Sequence, residues 1–223
     1  EHPLRPRSLS PRWRAAVPVT ASSAFLLLHE NAGMLAVFVL CGAATTGIYA
    51  AGYRLVYIAV SLTGLLSYVF LARFTRVLRD QPATARALFR GVIVCALAGG
   101  ALASIAGILL ARPVVRLLYD PVYQPSAAII VILAWQMVAA PARVIAYQTL
   151  NACGMQRRIV PWCAGCAAVS VSAVVLGCWW AGAPGAAMGT VLGELGSMVM
   201  LVMAADRIVK RLATPRGVCT QNP

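Results

Sequence analysis

The sequence encodes an all-α polytopic membrane protein of six transmembrane helices, and three observations lead there. Of its 223 residues, 61% are hydrophobic and 11% charged, with a mean hydropathy of +0.79, whereas soluble domains carry about 25% charged residues. Six apolar stretches are each long enough for the roughly 20 residues that cross a bilayer, and because open strands cannot satisfy their backbone in lipid, these are helices. The basic excess, a net charge of +13 and a pI near 10.2, falls in clusters between the apolar runs. That arrangement marks membrane topology and argues against nucleic acid as a partner.

The chain opens with a basic tail, 1–14, holding Arg5, Arg7, Arg12 and Arg14, with prolines that discourage regular structure and Trp13 as an interfacial anchor. It starts at Glu1 without a methionine, and the first apolar run is too long and too polar for a signal peptide, so a fragment of a longer protein is expected. The first helix is placed at about 15–40, with Pro18 tolerated near its start. A glycine-flanked turn, 41–47, leads into a second at about 43–75.

This hairpin carries His29, Glu30, Asn31 and Arg54 into a stretch otherwise fit for lipid. A charge at mid-bilayer costs about 2.5–3.5 kcal/mol, so such residues face a bundle interior or a wet cavity. Arg54, Tyr57, Ser61 and Tyr68 recur at helical spacing and define one polar face.

Arg73, Arg76, Arg79, Arg86 and Arg90 are expected in a basic loop broken by Gln81-Pro82. The third helix, about 87–110, has Gly99, Ala103 and Gly107 as a seam for close packing, ended by Arg112-Pro113 and a short interfacial turn from Val114 to Tyr119. The fourth, about 125–152, carries Gln136, Arg143 and Tyr147 on one face and is expected to kink at Pro141. The fifth and sixth, about 159–180 and 184–207, are joined by a turn at 181–184. The sixth sets Gly185, Gly189 and Gly193 in a packing row beside a polar strip of Thr190, Glu194 and Ser197, in which Glu194 reads as a structural acid. The six-helix region thus covers 15–212, followed by a tail, 213–223.

Fifteen of the nineteen lysines and arginines fall on one side if both termini are cytoplasmic, against Arg112 and Arg116 on the other. The positive-inside rule then selects that orientation. The cysteines read as small packing residues. The pair Cys163 and Cys166 has no second pair and only two histidines in the chain to join it, so no metal site and no cofactor are expected. No nucleophile, metal or phosphate-loop motif points to an enzyme.

Four runs, Gly47-Ile-Tyr-Ala-Ala-Gly-Tyr-Arg-Leu55, Leu117-Leu-Tyr-Asp-Pro-Val-Tyr-Gln-Pro-Ser126, Leu150-Asn-Ala-Cys-Gly-Met-Gln-Arg157 and Gly182-Ala-Pro-Gly-Ala-Ala-Met-Gly-Thr-Val-Leu-Gly-Glu194, occur in an order that resembles the carboxy-terminal half of polysaccharide-biosynthesis flippases. These are the Wzx-like O-antigen exporters of the MOP superfamily, related to lipid II flippases and MATE pumps. The resemblance implies one lobe of a two-lobed transporter in a bacterial inner membrane. Such a transporter moves undecaprenyl-pyrophosphate-linked oligosaccharide by alternating access, together with an amino-terminal lobe missing from this chain. Where the family often reads Arg-Ile-Asp, this sequence has His29-Glu30-Asn31, which keeps an acid and loses the arginine.

On that reading Arg54 and Arg143 are positioned to pair with pyrophosphate oxygens, and Tyr57, Ser61, Gln136, Tyr147 and Asn31 to hydrogen-bond or stack on sugar. Arg54 serves equally as a structural partner of Glu30 or as a snorkelling residue. Glu30 and His29 are candidates for coupling to protons or Na⁺, or form a structural pair. A MATE-type cation antiporter and a lipid II flippase are the alternatives.

Overall fold

The computed structural model describes residues 10–213, with the side chains of 10–16, 63, 65, 66 and 213 outside the description. The side chains of the two expected tails, Trp13 and Arg216 among them, therefore lie outside it. All the regular structure among the described residues is helical: α1 (Ser10–Asp80), α2 (Pro82–Leu118), a 3₁₀ turn (Pro121–Tyr123), α3 (Ser126–Leu133), α4 (Gln136–Ala152) and α5 (Gln156–Ala213). Three of these, α1, α2 and α5, are long and apolar enough to cross a membrane. The pair α3 and α4, bent by 46° between them, makes a fourth if taken as one span.

A straight helix of α1's 71 residues would be about 105 Å long, several times the roughly 30 Å of a bilayer core. Instead α1 reverses at Gly42, whose φ of 82° and ψ of 174° suit glycine and almost nothing else. The reversal is visible in contacts: a Cβ on Gly33 would collide with the Tyr49 hydroxyl, and Tyr53 Oη donates to the Glu30 carbonyl at 2.9 Å.

Helix α5 folds back in the same way at Ala181 and Gly182 (φ 60°, ψ −140° at Gly182). Gly185 then lies on the Gly177 carbonyl, Gly189 on that of Ala173, and Gly193 on Ser170, so any side chain in that row would strike backbone or the serine. This row does what its spacing indicates, letting two helices approach at backbone distance.

Elsewhere the chain departs from the expected boundaries. The basic stretch around residue 80 is not a loop: α1 runs to Asp80, α2 begins at Pro82, and Gln81 alone breaks the helix. Proline at the first helical position loses no bond there, since that N–H would be unsatisfied anyway. Nor does α2 stop at Arg112-Pro113. It continues to Leu118, with Ala111 and Val115 buried on either side of the proline.

The bend in the fourth stretch falls between α3 and α4, with Pro141 inside a continuous α4. Pro141 still leaves a trace. The Met137 carbonyl, deprived of its i+4 donor, is the atom that a Cβ on Gly100 would strike, whereas Gly99 has open space around it. The seam on α2 is therefore the Gly100, Ser104, Gly107 and Ala111 side: of the expected row Gly107 belongs to it, while Gly99 and Ala103 face outward.

Two apolar clusters hold the bundle. One gathers Val37, Tyr49, Leu133, Met137 and Ala186 towards the reversals. The other gathers Phe74, Phe89, Leu150, Leu201 and Val209 towards the basic helix ends. Large apolar side chains such as Val39, Leu102, Leu109, Val69 and Trp180 cover the outside. Such a surface is compatible with an apolar solvent around the helices.

Candidate functional site

Between the two apolar clusters lies a polar layer contributed by α1, α4 and α5. His29 precedes the α1 reversal at Gly42 by thirteen residues and Glu194 follows the α5 turn at Gly182 by twelve. At 1.5 Å per residue both are about 18–20 Å along their helices from the turns. They meet at the same depth for that reason.

Arg143 is the hub. Its Nε donates to Glu194 Oε1 at 2.5 Å and its Nη2 to Glu30 Oε1 at 3.2 Å. Glu194 Oε2 in turn accepts from His29 Nε2 at 2.7 Å. Arg143, Glu194 and His29 are buried, while the Glu30 side chain keeps 31% of its surface. A carboxylate already paired with arginine is an acceptor, so the His29 proton sits on Nε2. His29 Nδ1 finds no hydrogen-bond partner among the described residues.

With a neutral imidazole the four groups sum to one negative charge, and a second proton on His29 brings them to zero. Charges removed from water are tolerated only when they find partners, and here each carboxylate has at least one N–H donor from another helix.

Beside the network is a small cavity of about 30 Å³ lined by His29, Glu30, Tyr53, Tyr57, Gln136 and Arg143, among others. It has room for about one water, and Gln136 Nε2, on its wall, finds no hydrogen-bond partner among the described residues. Tyr49, Tyr53 and Tyr57 form a stacked ladder along α1, with ring centroids 6.2 and 5.8 Å apart. The ladder runs from Tyr49, fully buried and bonded to Thr190 Oγ1 at 3.2 Å, to Tyr57, 48% exposed.

Of the residues singled out in the sequence, His29, Glu30, Tyr57, Gln136 and Arg143 come together at this cavity; Arg54, Ser61, Asn31 and Tyr147 do not. Arg54 is exposed on the outer side of α1, without an ion pair to any described residue, so the partner of Glu30 is Arg143. Ser61 and Asn31 are exposed and bond their own helix, to the carbonyls of Tyr57 and Leu27. Tyr147 lies one turn beyond Arg143 and meets Ser22 Oγ at 3.1 Å.

Two members were missed. The sequence presents Glu194 as a structural acid in its own polar strip, whereas it bridges α4 and α1. Tyr53 carried no signal beyond its four-residue spacing to Tyr49 and Tyr57. The candidates for metal ligation in the network are two carboxylates engaged with Arg143 and a histidine engaged with Glu194, and no group of metal-ligating side chains occurs among the described residues.

Comparison with protein-family models, with curated proteins and with solved structures finds no match for this chain.

Proposed function

We propose that this chain is one lobe of a membrane transporter, a Wzx-like flippase that carries lipid-linked oligosaccharide across the bacterial cytoplasmic membrane by alternating access. Counting α1 and α5 as two spans each gives six, with both termini in the cytoplasm, as the charge distribution favours. The observation that carries the reading is the ionisable network buried at mid-depth and reaching the surface through Glu30. A purely structural lobe has little reason to keep four ionisable groups where lipid-like packing would serve, and such groups within apolar spans mark transport pathways.

Arg143 spends its charge on two carboxylates in this conformation. An anionic cargo reaches it by displacing Glu30, the longer and more exposed contact. The outward-facing stripe of Arg54, Tyr57 and Ser61 then belongs to the wall shared with the opposite lobe, where pyrophosphate and sugar pass. Moving an anion outward is favoured by an inside-negative potential, by about 2.3 kcal/mol per charge per 100 mV.

A second reading, cation antiport, is favoured by one specific feature. With Arg54 outside the network, two acids and a titratable histidine surround a single arginine.

The test uses the full-length transporter in an export-complementation assay. Arg143→Gln lowers export, and the double variant Arg143→Gln with Glu194→Gln restores charge balance. If Arg143 handles cargo, protein level recovers in the double variant and export does not. Recovery of both leaves Arg143 a structural role only. Proton-driven cation efflux in proteoliposomes, lost in His29→Asn, would select the antiporter instead.

A further inference from the structure

The tips of the two folded-back helices meet through a pair of thiols. Cys41 immediately precedes the Gly42 reversal of α1, and Cys178 lies three residues before the turn at Ala181 and Gly182 of α5. Their Sγ atoms are 3.5 Å apart across 137 residues of sequence, and a Cβ on Gly182 would lie 4.0 Å from Cys41 Sγ. No other thiol–thiol contact of this kind occurs among the described residues. Cys163 and Cys166 are buried without one, Cys95 is exposed alone on α2, and Cys153 is half-buried at the end of α4.

Two features identify the side of the membrane on which this pair lies. The stretches 41–47 and 178–185 contain no charged residue, while Arg73 to Arg90, Arg157, Arg158 and Arg207 to Arg211 gather at the opposite helix ends. Trp179 and Trp180, 82% and 85% exposed, flank Cys178 as an interfacial belt does. By the positive-inside rule the tips face away from the cytoplasm, towards a compartment where disulfides form and persist.

We infer that Cys41 and Cys178 form an intramolecular disulfide that staples the two hairpin tips at the non-cytoplasmic face. The inference rests on the orientation given under the proposed function. The chemistry is thiol–disulfide exchange with an oxidising disulfide of that compartment. Cys41, the half-buried member, attacks the donor disulfide as thiolate and releases one donor thiol. The buried Cys178 thiolate then attacks the Cys41 sulfur of the mixed disulfide and releases the second. Two protein thiols and one donor disulfide become one protein disulfide and two donor thiols, so atoms and electrons balance. Closing from 3.5 Å to the roughly 2.05 Å of an S–S bond takes side-chain rotation at two helix ends bordered by turns. The staple fixes the first and last hairpins together at the outer end and leaves their basic ends to move.

The experiment traps thiols by acid quenching of cells expressing the full chain, then counts maleimide additions under denaturing conditions before and after reduction. Five of the seven cysteines react before reduction and seven after it, and Cys41→Ser makes all six remaining thiols reactive from the outset. A separate variant, Ala43→Cys with Cys41→Ser and Cys178→Ser, is labelled on intact spheroplasts by a membrane-impermeant maleimide and reports orientation. Seven additions before reduction, with the Ala43→Cys probe labelled, overturn the staple alone. Seven additions with that probe silent overturn the orientation, and the staple with it. Five additions together with a peptide pair linking Cys41 and Cys178 by mass spectrometry establish the bond.

Discussion

Two carboxylates in this protein are each held by arginine, in opposite surroundings. Asp206, near the end of α5, takes paired contacts from both Arg86 and Arg90 of α2 at 2.8–3.1 Å, with the side chains 22%, 30% and 60% exposed. Glu194, in the middle of the same helix, takes one contact from Arg143 and one from His29, with Arg143 and Glu194 only 5% and 6% exposed. The exposed cluster has the better geometry and the buried one the higher stakes. Water stands ready to replace any partner that Asp206 loses, whereas a group stripped of its partner around Glu194 keeps a charge in apolar surroundings. The first site ties two helix ends together; the second dictates which helices can be neighbours at all.

The contrast breaks first at Arg143. Arg143→Met leaves Glu194 and Glu30 unmatched and is expected to cost about 3–5 kcal/mol, read as a lower unfolding midpoint and lower yield in detergent; wild-type stability would dissolve the distinction. Glu194→Gln keeps a hydrogen-bonding amide opposite His29 but removes the charge, for an expected loss of about 1.5–3 kcal/mol. Combining it with Arg143→Met should cost less than the two separately, a coupling measurable by a double-mutant cycle.

At the exposed cluster, Asp206→Asn is expected to cost no more than about 1 kcal/mol per lost pair. Raising salt should erode that contribution and leave the Arg143 pairing nearly unchanged, because screening reaches exposed charges first. Smallest of all is Arg54→Gln, which should leave unfolding within about 0.5 kcal/mol of wild type while lowering export in the complementation assay. A variant that destabilises the chain and exports normally would move Arg54 from the shared wall into the lobe's own support.

These residues also show what a one-dimensional reading reaches. The reversal at Gly42, the row of Gly185, Gly189 and Gly193, and the intrusion of His29, Glu30 and Arg143 into apolar runs follow from residue type and spacing. The choice between Gly99 and Gly100 as the packing face of α2 does not, nor does the choice between Arg54 and Arg143 as the buried arginine. In a soluble helix the apolar stripe tells which side is inside. Where the solvent is as apolar as the core, α1 and α2 are hydrophobic all round, and an arginine turned inward looks like one turned outward. Glu194 illustrates the same blindness, since Thr190 and Ser197 place it in a strip on its own helix while its partners lie 51 and 165 residues away.

Composition and local pattern were sufficient to establish an all-helical chain suited to lipid, the places where it can turn back, and the presence of charge at depth. All of these depend on a few consecutive residues and the chemistry of their solvent. Pairing belongs to the folded molecule: Arg143 between two acids, Cys41 against Cys178, the Met137 carbonyl on Gly100. Such contacts depend on the depth and rotation at which separate helices settle, and those are set jointly by all the helices in the packing.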